Sequence, residues 1–440
     1  MPSESPTMST VIVGAGAIGI ATAYWLSRTP PESGQRTIHL VDVSSELFSG
    51  ASGSAGAVLA ADGMPTPELA DLAKYSYDLH CEFAAENEGT QRWGFSRMLP
   101  LRVVSNAAAA KPQAQPPWLS PDLSVETMPL APRGIVDSKA FCQYCLECCL
   151  RQGVQLHQPA TPVAVVKSTS TTGTHALQIR KAGGGMELLP CTSLVITAGC
   201  WTPTVFDTLF PASSLNPVPV GSLAGHYAIF KTPQPTSSHE QAAPPEYTYG
   251  LWPASEKYSD PGLADVPFRV FARISGEMFV AGANSATHPV PRVPEEARAD
   301  PAMLHKLHRV AGGLTGLRGQ NDLVTIRQGV ACRPTTPSAN PIIAELQPGL
   351  FSTSGASTGT TTESSSSNDD LRVFVSAGHG LWGISLSLAT GRVLSDLIAG
   401  RKPAVDVAPF RLDAARIEAE RRLQLQNSSG EAAVRSESKL

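Results

Sequence analysis

The chain of 440 residues is short of several things, and each shortage closes a class of function. Only 16% of its residues are charged, too few for a coiled coil or a wholly disordered chain, while 42% are hydrophobic, as a globular core requires. There is no basic excess. Against 38 Asp and Glu stand 34 Lys and Arg, a net charge of −4, so no nucleic-acid partner is expected. Long apolar runs are missing too: the longest, Val11 to Leu26, is broken by three glycines and follows no basic segment, which argues against a membrane span or a secretory leader. Cysteine is scarce, with eight unevenly placed residues, the usage of a reducing interior rather than a disulfide scaffold. The expectation is a soluble intracellular protein of about two to three domains.

What the chain does have begins at its N-terminal end. Thr10 to Val13 reads as a short buried strand, followed by Gly14-Ala15-Gly16-Ala17-Ile18-Gly19 and a run of small and apolar residues at helical spacing to Ser27. A second β-branched run, Thr37 to Val43, carries Asp42. Strand, glycine turn, helix, strand and acid form a dinucleotide-binding unit of the Rossmann type. Gly14 permits the tight turn, Gly16 lets a pyrophosphate approach the backbone, and Gly19 lets helix and sheet pack closely. The helix start at Ala17 and Ile18 offers free N–H donors and a partial positive charge. Asp42, 23 residues past Gly19, can accept both ribose hydroxyls. This pattern alone does not separate NAD from FAD. The second small-residue loop, Gly50 to Ala57 with Ser52 and Gly56, is uncharged and flanked by apolar residues, which favours the larger cofactor.

The middle of the chain offers weaker signals. Thr66 to Glu88 is amphipathic, and Ala107 to Pro117 is a Pro/Ala-rich excursion. Asp137 is placed to cap a helix that Gly153 ends. Cys142, Cys145, Cys148 and Cys149 lie on that helix with iron–sulfur-like spacing, but they form one packing stripe and no completing Cys-Pro follows, so no metal is expected. Gly153 to Leu156 and Thr161 to Val166 read as strands, and Val163 stands where an adenine ring could lie. Leu194 to Ala198 is a buried strand ending in Ala198-Gly199-Cys200-Trp201, and ligands gather at such strand tips. From Pro217 to Phe279 the pattern turns to longer alternating β-runs, with Ser275-Gly276 as a hairpin turn, a mostly antiparallel second domain. Glu295 to Val310 reads as a helix on its outside. Tyr227, Tyr249 and Trp252 are aromatic candidates for a substrate pocket.

In the C-terminal third, Arg333 sits between apolar β-runs in Cys332-Arg333-Pro334, where a cation is costly unless partnered. A substrate carboxylate and a structural ion pair both satisfy it. Residues 351–370 are a Ser/Thr-rich insertion. Then Val373 to Ala377, Gly378-His379-Gly380-Leu381-Trp382-Gly383-Ile384 and a helix to about Gly400 repeat the strand, glycine turn and helix theme.

These motifs together resemble the D-amino-acid oxidase–like family of FAD-dependent oxidoreductases, which includes glycine oxidase, sarcosine oxidase and fructosyl amino acid oxidase. VIVGAGAIGIATA, Asp42, ASGSAG, LVITAGCW, ISGEMFVAG, CRPTTPSANPII and SAGHGLWGISLSLATG occur in family order between about residue 10 and 411, and the WGI is nearest fungal and plant members. The resemblance implies an α/β, two-domain protein. A Rossmann-like FAD-binding domain would take residues 8–80, 135–215 and 325–411, and an interleaved, mostly antiparallel β-sheet substrate domain residues 81–134 and 216–324. Residues 412–440 would be a polar tail. FAD would lie on Gly14 to Gly19, Ser52 to Gly56, Ala198, Gly199 and Trp201, with Gly378, His379, Gly380, Gly383 and Ile384 at its pyrimidine side. Arg333 would bind the substrate carboxylate while a C–N bond passes a hydride to the flavin. Two departures matter. Cys332 is one residue off the position of the cysteine that holds flavin covalently in sarcosine oxidases, so non-covalent FAD is expected. Phe279 replaces their oxygen-activating lysine.

The chain ends Ser438-Lys439-Leu440, a peroxisomal address read by an import receptor. Peroxisomes contain catalase, which suits an oxidase using O2 and releasing hydrogen peroxide on an amino acid or small amine. The alternatives are a cytoplasmic location, a dehydrogenase or tailoring enzyme with another electron acceptor, and a regulatory flavin-binding protein.

Overall fold

Five successive residues from Ser9 to Val13 are buried, so the strand Met8–Val13 is covered on both faces, as a central parallel strand must be. In the computed structural model it lies inside a six-stranded sheet. The order is Ile342–Glu345, Arg372–Ala377, Ser193–Ile196, Met8–Val13, Arg36–Val41 and Gln155–His157. All neighbours are parallel except the antiparallel edge strand Ile342–Glu345. The structure describes residues 8–437 apart from 32–33, 106–114, 130, 132, 168–174, 214, 216, 233–246, 254–267, 318–322 and 352–370. The excursion at 107–117 and the insertion at 351–370 therefore fall largely outside the described residues, as does the terminal tripeptide.

One face of this sheet is covered by the helices Ala17–Ser27, Ala70–Glu86, Ser138–Arg151 and Ser387–Ile398. Small residues let them approach: a side chain on Gly391 would stand 2.4 Å from the backbone of Ala21. Cys142, Cys145, Cys148 and Cys149 are buried in this layer beside Phe141 and Ile20. The opposite face packs against the helix Thr202–Leu209 and a three-stranded sheet of Ala160–Lys167, His175–Lys181 and Met186–Pro190. Among the described residues no helix is long and apolar enough to cross a membrane.

The second sheet has nine strands. Its order is Thr325–Thr335, Gly221–Lys231, Glu277–Ser285, Arg269–Ala272, Tyr247–Pro253, Ser96–Ser105, Arg133–Ile135 and Val58–Ala60, with Leu123–Thr127 beside Ser96–Ser105. Only the Tyr247–Pro253 and Ser96–Ser105 pair is parallel. The helix Pro301–Thr315 covers its outer face with Leu307, Val310, Ala311 and Leu314. The protein is thus an α/β molecule in which a parallel sheet and a mostly antiparallel sheet share one chain that passes between them repeatedly.

Three sequence expectations shift. Val58–Ala60 and Thr325–Thr335 belong to the antiparallel sheet by their ladders, not to the dinucleotide unit, and residues 81–86 remain in a helix packed on the parallel sheet. The outer helix starts at Pro301, not Glu295, because Asp300 accepts the Ala302 N–H and proline follows it at the first helical position. The polar tail expected at 412–440 is helical over Ala414–Glu437. Glu420, buried in its first half, accepts from the Ser338 N–H and hydroxyl and pairs with Arg416.

Asp137 ties the two sheets together. One oxygen caps the helix Ser138–Arg151 through the Ala140 N–H at 2.9 Å, and the other accepts from the buried Arg273 at 2.6 Å. Glu277 is the second partner of Arg273. Asp137→Ala is expected to destabilise the fold by about 2–3 kcal/mol, about 1 from the cap and the rest from a half-paired buried cation. Asp137→Asn, which keeps the cap, should lose less. Urea unfolding of the three proteins checks the order.

Candidate functional site

At the end of Met8–Val13 the chain turns through Gly14, whose φ is +107° and whose N–H donates to Val41 O at 2.8 Å. A side chain here would stand 2.5 Å from Thr197 O, and one on Gly19 would stand 1.9 Å from Gly14 O. Both positions require glycine. Gly16 differs, because a side chain there would meet only the Ser52 hydroxyl, at 3.1 Å. The helix start leaves backbone donors without intrahelical partners. Ala15 N–H donates to Asp42 Oδ2 at 2.7 Å and Ala17 N–H to Ser52 Oγ at 2.9 Å. The other Asp42 oxygen accepts from the Ser44 N–H. Asp42 therefore braces the turn, and each oxygen keeps capacity for one further donor.

A cavity of about 860 Å³ opens from this turn. It begins at Ser44, Thr161, Pro162 and Arg180, passes Gly14, Gly16, Ala17 and Ile18, and continues along Ser52, Gly56, Ala198, Gly199 and Trp201. It ends against the antiparallel sheet, where Tyr227, Trp252, Phe271, Phe279 and Arg333 line it, with His379, Gly380, Gly383 and Ile384 alongside. His379 is buried and its Nε2 meets Thr390 Oγ1 at 3.2 Å, while its Nδ1 and the Ser376 hydroxyl, both on cavity-lining residues, have no partner. Burial pushes His379 down to about 3, so its ring is neutral. A long cavity that starts on a helix N-terminus and ends on an aromatic wall with unsatisfied polar groups is built for a ligand with a phosphate and a flat ring.

Residues 9–397 match the family model described as FAD dependent oxidoreductase (DAO). The chain belongs to this family. A Schizosaccharomyces pombe protein named "Putative oxidoreductase C1F5.03c" is 22% identical over 417 residues, covering 90% of this chain and 94% of that one. The fold is that of glycine oxidase from Geobacillus kaustophilus, with a TM-score of 0.65 at 17% identity over 93% of this chain and 99% of that one. Iminodiacetate oxidase from Chelativorans sp. BNC1 has a TM-score of 0.64 at 15% identity over 91% and 98%.

For an FAD-dependent oxidoreductase the cavity suits its cofactor. Gly16 presents bare backbone, the helix start presents N–H groups, and the volume lies high in the range of about 300–1,000 Å³ typical of small-molecule sites. Not every expected residue is on its wall. Gly19 and Gly378 lie behind it as packing positions, and a side chain on Gly378 would strike Thr336 at 2.5 Å. Val163 is the extra residue of a β-bulge between Pro162 and Ala164, so its neighbours Thr161 and Pro162 take the cavity edge instead. Tyr249 is corrected as well. Alternation along Tyr247–Pro253 turns Trp252 to the cavity and Tyr249 to the opposite face, among Leu251, Val310 and Leu314. Phe271, which stacks with Phe279 and meets Trp252 edge-on, lines the cavity too, and only strand pairing brings it to the face of Tyr227.

Arg333 lies in the cavity wall. Its Nε donates to Leu223 O at 3.1 Å and its Nη2 to Asn284 Oδ1 at 2.5 Å. Burial lowers its basicity to about 10, which leaves it charged at neutral pH. Among the described residues no carboxylate pairs with it, so an internal ion pair is not its partner there. Cys332, which also lines the cavity, packs with Cys200, Ala224 and Val330, and hydrogen bonding from Cys200 lowers its thiol.

Gly16→Val should leave the fold intact, because only a hydroxyl must give way, yet reduce bound flavin at least about ten-fold by filling the phosphate approach. Gly19→Ala should instead unfold the turn. Far-UV circular dichroism beside the flavin-to-protein absorbance ratio separates the two outcomes.

Proposed function

We propose that this enzyme oxidises the C–N bond of an amino acid or of a secondary amine that carries a carboxylate. The observation that carries this reading is Arg333, a half-buried guanidinium on the cavity wall held by neutral acceptors alone among the described residues. A planar cation with unused donors matches a carboxylate in charge and shape. When bound, FAD supplies the hydride acceptor. The chain's own residues do the rest: Arg333 grips and orients the substrate, and Tyr227, Trp252, Phe271 and Phe279 form an apolar wall that excludes water. We read FAD as non-covalent from the register of Cys332 in Cys332-Arg333-Pro334, with Cys332 and Cys200 packed together at the cavity wall.

Oxygen as electron acceptor, with hydrogen peroxide as product, accords with a peroxisomal location through Ser438-Lys439-Leu440. A second reading, a dehydrogenase with a different acceptor, is favoured by one feature. Phe279, stacked on Tyr227, contributes a neutral wall where a cation would favour electron transfer to oxygen. Substrate-dependent bleaching of the flavin under nitrogen, followed by a peroxide assay on admitting air, decides between them.

Arg333→Ala removes a partly desolvated charge pair worth about 2–5 kcal/mol, which is about thirty-fold to several-thousand-fold in kcat/KM toward a carboxylate substrate. Flavin content should survive, and Arg333→Lys should recover only part, since a point charge lacks the fork. Full activity of Arg333→Ala on a carboxylate substrate would sink the assignment. For the address, a fluorescent fusion at the N-terminus should be punctate with Ser438-Lys439-Leu440 and diffuse after its deletion, with flavin content unchanged in both.

A further inference from the structure

The arginine is only as good as the surface that holds it. Arg333 lies flat across Gly225 on the neighbouring strand: a side chain there would stand 1.9 Å from Nη2 and 2.4 Å from Cζ. Beyond Gly225, on the third strand, is Asn284, its register partner. Alternation alone would turn Asn284 away. Tyr227 and its partner Ala281 face the cavity, so residue 283 should follow them and residue 284 should point to the far side. The ladder prevents this, because His226 pairs with Gly282 and Gly225 with Asn284, which leaves Ala283 as an extra, unpaired residue. A bulge of this kind resets the facing of every residue after it. Ala283 adopts φ +49°, an uncommon conformation for a residue with a side chain, and surrounding contacts must impose it. The contact is visible. His226 is buried, its Nε2 accepts the Asp300 N–H at 3.1 Å, and its Nδ1 therefore carries the proton that meets Ala283 O at 2.9 Å.

We infer that Asn284, set by the bulge at Ala283 and admitted by the bare backbone of Gly225, is a positioning residue that fixes Arg333 without neutralising it. The chemistry of the pair makes the distinction. Leu223 O and Asn284 Oδ1 occupy two of the five guanidinium N–H donors and leave three for a ligand. Both acceptors are uncharged, so the positive charge remains for an anionic substrate group. A carboxylate at 284 would have nearly the same shape and would hold the guanidinium at least as firmly, but it would spend that charge internally. Asn284 thereby sets the preference for anionic over neutral ligands. This rests on the reading of Arg333 as the carboxylate grip.

The test uses the FAD-loaded full chain and two near-isosteric probes, benzoate and benzamide, each titrated while the flavin absorbance difference spectrum is recorded. Wild type should bind benzoate in preference to benzamide. Asn284→Asp should match or exceed wild type in melting temperature and flavin content, yet bind benzoate at least about ten-fold more weakly with benzamide little changed. Toward a carboxylate substrate the loss should appear in KM rather than kcat. Asn284→Ala should weaken benzoate less, because the freed guanidinium keeps its charge. Gly225→Ala should displace the guanidinium and also lower affinity; should it fail to fold, Asn284→Asp carries the test alone. A merely structural role for Asn284 would move stability and leave the ratio of the two probes alone. If Arg333→Ala abolishes the preference for benzoate but Asn284→Asp retains it, the positioning role is overturned and the carboxylate grip stands. A wild type that holds FAD and does not distinguish the probes overturns both.

Discussion

Where the turn after the first strand passes under its helix there is no room for a single extra carbon. Gly19 and Gly14 O are separated by less than a methyl group would need, and Gly14 is also too close to Thr197 O for a side chain. Everything downstream relies on this approach. It brings the helix start over the strand tip, aligns the second strand so that Asp42 reaches the Ala15 N–H, and sets the Ser193–Ile196 strand close enough for Thr197 to hydrogen-bond back to Val13 and Gly14. The cofactor end of the cavity is the space left by these contacts. It is made of backbone, which is why composition at a handful of small residues determines it.

The substrate end obeys a different constraint. It is built from side chains presented by a sheet, so membership of the site is a matter of which way each residue faces. Aromatic rings at Tyr227, Phe271 and Phe279 stack across adjacent strands and form a low-polarity wall. In such surroundings a cation is both costly and effective, since the medium that penalises its burial also strengthens its pull on an anion. The two ends meet at the strand Thr325–Thr335, whose last residue bridges to His379 on the flavin-side turn.

This contrast explains what could be seen in the sequence. The strand, glycine turn, helix and acid of the N-terminal unit were legible because local sterics dictate them: no other residue fits at Gly14 or Gly19. Asp137 as a helix cap and the burial of the four clustered cysteines were legible for the same local reason. Tyr249 and Trp252 were not separable, since both are large aromatics three residues apart and only strand pairing decides which of them faces inward. Val163 was displaced by a bulge, and Asn284 was brought in by one. Neither bulge has a sequence signature, because each is imposed by pairing with strands elsewhere in the chain. The same holds for Thr325–Thr335, which reads as a continuation of the dinucleotide unit until its ladder with Gly221–Lys231 is known.

The strand order carries a consequence for how the molecule comes into being. Met8–Val13 meets Arg36–Val41 early, but its other neighbour is Ser193–Ile196, and that strand in turn waits for Arg372–Ala377. On the ribosome Met8–Val13 must therefore remain in an incomplete sheet until Arg372–Ala377 has been made. Pairings of such long sequence separation are slow to close and leave apolar edges exposed meanwhile. Capture of the cofactor is accordingly a late event, and synthesis that stops short of the final parallel strand yields a chain with an unfinished central sheet.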